Sequence, residues 1–188
     1  MNPFDRLGLP PQLALNEDEL ARAVSDQSAR NHPDSGGCES AFQEIRKAGD
    51  HLKVPALRIK AALAVLNWNE GERGQVPDEI MDLFSPVAAV LAEVEDFLVA
   101  RRKAVSGLGK AVLDAGLPAL KTRLEDQIQS VSTLEDRLIS RFPEFDAIGW
   151  ENCLAEMSEV ARGLAFLRKW LGRLREANGK LFEALLGG

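Results

Sequence analysis

The sequence predicts an all-α protein, and three observations carry that expectation. Tyrosine is absent and aromatic residues make up only 6% of the 188-residue chain, while alanine and leucine are abundant. That mixture suits packed helices better than sheets. Apolar residues recur every three or four positions, as one face of a helix requires. Proline, glycine and capping residues punctuate those runs at the places where helices start and stop.

The elements follow in order. Asn2-Pro3 reads as the cap and first position of a short helix through Leu7, which Gly8 terminates. Leu9-Pro10-Pro11 forces an extended segment. Asn16 caps a second helix, with Glu17, Asp18 and Glu19 in the first turn, where the helix dipole favours acids. Its inner stripe is Leu20, Ala23, Val24 and Gln27, and it runs to about Asn31. The proline of His32-Pro33-Asp34 must stop it, and Ser35-Gly36-Gly37 is loop chemistry. A third helix starts near Glu39 with the stripe Ala41, Phe42, Ile45, Ala48, Gly49 and Leu52. Pro55 ends it or opens a fourth run, Leu57 to Leu66, finishing near Trp68-Asn69. A histidine, a rigid proline and an aspartate are therefore expected at the tip of a helical hairpin, open to another molecule.

The glycine-rich stretch Glu70 to Pro77 reads as a linker between two domains, 1–69 and 78–188. Asp78 to Phe84 supplies one or two helical turns, and Ser85-Pro86 is the expected start of a long helix. Val87, Leu91, Val94, Leu98, Val105, Leu108 and Val112 would form its seam, and Gly116-Leu117-Pro118 would end it. Leu120, Leu124, Ile128, Val131, Leu134 and Leu138 mark a second long helix, interrupted at Pro143. Asp146 is the expected cap of a last helix whose seam runs from Trp150 through Leu154, Met157, Ala161, Leu164, Leu167, Leu171, Leu174 and Leu181 to Leu185. Three such helices with short links make an antiparallel bundle.

Composition also narrows function. A net charge of −6 and a pI near 5.1 argue against nucleic acid as the main partner. No run approaches the length of a membrane span and the N-terminus lacks a signal-peptide pattern, so a cytoplasmic location and no membrane partner are expected. Cys38 and Cys153 stand far apart, without metal-ligand spacing. No catalytic residue, no metal site and no cofactor signature emerges, so an enzyme is not expected. Arg101-Arg102-Lys103 and Arg168-Lys169 read as solvated faces or last-turn charges.

The pattern Phe4, Leu7-Gly8-Leu9, His32-Pro33-Asp34, Gly36-Gly37, Phe42, Ile45, Ala48, Leu52 and Arg58 resembles a J-domain, the module with which DnaJ-type co-chaperones dock on DnaK-type chaperone ATPases. Leu7 to Asn16 resembles the opening of HscB-type J-proteins, the co-chaperones of iron–sulfur cluster assembly. That resemblance implies a J-domain-like hairpin with short flanking helices over 1–69, followed by a client-binding three-helix bundle. It implies that His32, Pro33 and Asp34, with Arg30, contact the chaperone ATPase and stimulate its ATP hydrolysis. Arg162 to Lys169 resembles the family's last-helix segment, so Phe166 would face an iron–sulfur scaffold, with Ile80, Met81 and Phe84 completing the apolar face. Phe166 adjoins the seam residue Leu167, and by position alone a core role is equally open to it.

One departure bears on function. The second helix is basic in the family, whereas here Glu17, Asp18, Glu19 and Asp26 outnumber Arg22 and Arg30. Val24, Ser25 and Asp26 stand where a tyrosine and two basic residues are expected, and Ser35 replaces a lysine. Weaker steering onto an acidic chaperone surface follows. The alternative is a J-like adaptor that does not stimulate an ATPase and binds another protein or itself through its C-terminal helices.

Overall fold

Asparagine side chains open the first two helices of this chain. The computed structural model describes residues 2–68 and 76–186, and all regular structure among them is helical. α1 spans Pro3–Leu7, α2 Glu17–Arg30, α3 Glu39–Lys53 and α4 Pro55–Val65. α5 spans Asp78–Lys103, α6 Gly107–Ile139, α7 Phe142–Ile148 and α8 Leu154–Leu186, with single 3-10 turns at Pro33–Ser35 and Trp150–Asn152. The Asn2 side chain accepts from the Asp5 N–H to open α1, and Gly8 closes it at φ 67°. The Asn16 side chain accepts from the Asp18 and Glu19 N–H groups to open α2. Of the expected linker at 70–77, residues 70–75 lie outside the described residues, as does Asn69.

The chain divides into two compact units, one of residues 1–75 with 138–164 and one of residues 76–137 with 165–188. In the first, α3 packs against α1, α2 and α4, burying Phe4, Leu20, Ile45, Leu52 and Ile59. A Cβ on Gly49 would stand 2.6 Å from Val24 Cγ2, so the bare glycine is what lets α3 lie against α2. The extended segment after α1 is anchored by polar groups. The Asp146 carboxylate accepts from the Leu13 N–H at 2.9 Å and the Ala14 N–H at 2.8 Å. It also accepts from the Trp150 indole at 2.8 Å. Buried Arg58 donates to the carbonyls of Leu52 at 2.7 Å and Leu13 at 2.8 Å. Burial lowers the Arg58 pKa, opposed by the nearby charges of Glu17 and Asp146. The Trp68 indole donates to the Ser158 hydroxyl at 2.9 Å.

In the second unit, ion pairs join Glu79 to Arg137, Glu93 to Arg123 and Arg101 to Asp114. As the first number rises the second falls, so α5 and α6 run antiparallel. α8 runs parallel to α5, since Phe84 meets Trp170 and Arg101 reaches the Ala184 carbonyl. The core is Ile80, Val87, Val90 and Val94 of α5, Leu117, Leu120, Leu124, Val131 and Leu134 of α6, and Leu167, Leu171, Leu174 and Leu181 of α8.

Three helix boundaries differ from expectation. α5 does not begin at Ser85-Pro86 but runs unbroken from Asp78 with Pro86 inside it. Asp82, whose carbonyl the proline leaves without its donor, is exposed together with Pro86, so water is at hand on that side. The break expected at Gly116 to Pro118 lies instead at 104–106. There the Ala104 N–H closes α5 on the Ala100 carbonyl, and the Ser106 hydroxyl accepts from the Gly109 N–H at 3.0 Å to open α6. Val105, Leu108 and Val112 therefore leave the seam and are exposed. Asp146 does not cap the last helix either, because it lies inside α7 with its carboxylate committed to Leu13, Ala14 and Trp150.

Candidate functional site

His32, Pro33 and Asp34 sit in a loop whose backbone leaves little freedom. His32 is extended at φ −66°, ψ 135°, the conformation that the following proline imposes. One 3-10 turn follows, closed by the Gly36 N–H on the Pro33 carbonyl and the Gly37 N–H on the His32 carbonyl, both at 3.0 Å. Gly36 takes φ 83°, and a Cβ on Gly37 would fall 2.2 Å from the Asn31 carbonyl oxygen. Both positions therefore require glycine. On the upstream side the Asn31 side chain donates back to the Gln27 carbonyl at 2.9 Å, finishing α2 with Arg30 exposed in its last turn.

The side chains of the tip are arranged by this frame. The Asp34 N–H donates to His32 Nδ1 at 3.2 Å, which places the proton of a neutral imidazole on Nε2. The Asp34 carboxylate, 90% exposed, approaches Nδ1 at 3.6 Å. The tip thus offers a ring N–H donor and a free carboxylate acceptor side by side. The imidazole stands edge-on to Phe42, with centroids 5.2 Å apart, and the Arg46 guanidinium lies 5.9 Å above the same ring. Sequence reading assigned Phe42 to the core and left out Arg46. The i, i+4 spacing of the two on α3 is the signal that could have joined them.

The residues singled out in the second unit are partly brought together. Phe84 of α5 and Phe166 of α8 are 55% and 41% exposed, and both rest on Trp170, at ring centroids 5.9 and 6.3 Å apart. Met81, 56% exposed, is one helical turn before Phe84. Ile80 is only 1% exposed and belongs to the core beneath. Trp170 was missed, although it stands four residues after Phe166 on the same helix. It is buried to 7% exposure and provides the common floor of the patch.

No protein-family model matches the chain, and no curated protein matches it by sequence. Among solved structures, the chaperone HscB from Vibrio cholerae is similar over 96% of this chain and 99% of its own, with a TM-score of 0.63 at 20% sequence identity. The chain has the all-helical fold of that HscB chaperone along almost its whole length.

Proposed function

We propose that this protein is a J-type co-chaperone of HscB layout that acts in the cytoplasm. His32, Pro33 and Asp34, with Arg30, dock on a DnaK-type chaperone ATPase. Met81, Phe84 and Phe166 present a client, an iron–sulfur scaffold, while Ile80 supports that face from beneath. The observation that carries the reading is the glycine-closed tip on which an imidazole N–H and a free carboxylate stand together, set in an HscB fold. A donor and an acceptor held rigidly can engage charged groups of a partner with little ordering cost. The chemistry of ATP hydrolysis stays in the chaperone, and this chain needs no cofactor for its part. The test is steady-state ATP turnover of the cognate chaperone with and without the protein. Turnover should rise on addition, and His32→Gln should abolish the rise while leaving the fold intact. Turnover that does not respond to the wild-type protein would count against the proposal.

A second reading is favoured by the acidic α2, which lacks the positive face that would steer the loop onto an acidic chaperone. On that reading the protein is an adaptor that does not stimulate an ATPase and binds another protein or itself. A solution mass well above 20.6 kDa, with unchanged ATP turnover, would support its self-associating form.

A further inference from the structure

The stretch Phe97 to Leu113 contains four cations, Arg101, Arg102, Lys103 and Lys110, and no acid, in a chain whose net charge is −6. It forms the end of the α5–α6 hairpin. Arg101 is spent internally on Asp114 and the Ala184 carbonyl. Arg102, Lys103 and Lys110 have no ion-pair partner among the described residues. The dipole at the end of α5 accounts for cations in its last turn. It does not account for the apolar side chains beside them. Val105 is fully exposed, Leu108 is 78% exposed and Val112 is 68% exposed. All three are aliphatic, and they follow one another at the turn and along the first turns of α6.

We propose that this hairpin end is a docking site for an anionic membrane surface. Cations around an apolar tip match a lipid interface, where aliphatic side chains enter the headgroup layer and Lys or Arg meets acidic headgroups. A two-fold contact with a second copy would set Arg102, Lys103 and Lys110 against their own images, which like-charge repulsion opposes. The tip also lacks the aromatic anchors that dominate protein–protein hot spots. The contact is peripheral, since no helix among the described residues is long and apolar enough to cross a membrane. This site shares no residue with the loop at 32–34 or with the Phe84–Phe166 patch, and it holds whether or not the co-chaperone reading does.

The test is co-sedimentation of the full chain with phosphatidylcholine vesicles made with and without phosphatidylserine. The protein should sediment only with the phosphatidylserine vesicles, and less so as salt is raised. Lys103→Gln should weaken vesicle affinity about fivefold, the worth of one cation at such a surface. The pair Leu108→Asn and Val112→Asn should weaken it without changing charge. These side chains are exposed, so helical content and melting temperature serve as the folding control. Equal sedimentation with phosphatidylcholine alone, no sedimentation with either, or binding that ignores all three substitutions would overturn the proposal. So would a vesicle-free solution mass above 20.6 kDa that the Leu108→Asn and Val112→Asn pair lowers, which would assign the tip to a second copy.

Discussion

In the first unit the polar ties are partly buried and reach between distant pieces of chain. In the second they are ion pairs between neighbouring helices, with Arg101 also reaching a distant carbonyl at Ala184. Arg58 and Ser158, the two buried polar side chains of the described residues, both belong to the first unit. Asp146 there accepts from two backbone N–H groups and an indole, so each of its bonds is directional, and the part-buried Leu13 N–H and Trp150 indole would be left unsatisfied without it. The Glu93–Arg123 and Glu79–Arg137 pairs of the second unit lie roughly half in water, where such pairs are worth about 0–1 kcal/mol. Its cohesion rests on the leucine and valine seam instead. Short helices with little area to share need directional ties to fix their arrangement, whereas long helices set their register by packing.

That contrast can be broken most sharply at Asp146. Asp146→Ala leaves the Leu13 and Ala14 N–H groups and the Trp150 indole without their acceptor, and should cost about 3 kcal/mol, read as a lower urea midpoint. In the second unit the sign reverses. Gln127 Oε1 is buried with no hydrogen-bond partner among the described residues, so Gln127→Leu should raise stability by about 1 kcal/mol, measured as a higher urea midpoint. The smallest effect belongs to Glu135. Burial raises its carboxyl pKa, opposed by Arg175 and Arg168 and reinforced by Asp136. A raised carboxyl holds its proton more tightly folded than unfolded, so the ionised form costs stability at neutral pH and that cost fades as pH falls through the folded pKa. Glu135→Gln should therefore melt slightly higher than wild type at neutral pH, with the difference vanishing in mild acid.

Much of the helical frame was readable in advance, because caps and stripes are local. Asn2, Asn16 and Gly8 act as their positions imply, and the α8 seam from Met157 to Leu181 is buried where its spacing places it. Two of the misplaced boundaries share one cause. Pro86 reads as a start and Pro118 as a break only if helix continuation brings nothing in return, and here Val87, Val90 and Leu120 are buried just beyond them. The role of Asp146 left no trace at all, since a carboxylate reaching Leu13 has no periodicity to betray it. At the candidate sites, the loop at 32–34 was legible from proline and glycine alone. Trp170 was hidden because a buried tryptophan on a seam looks like any other core residue.

The Asp146 clamp also sets an order of events in time. Leu13 is synthesised 133 residues before the carboxylate that accepts from it. At about 5–20 residues per second, that interval is on the order of ten seconds. Until α7 emerges from the ribosome, the Leu13 and Ala14 N–H groups lack the carboxylate that accepts from them in the finished fold. The nascent chain therefore spends its early life with an unfinished amino-terminal portion.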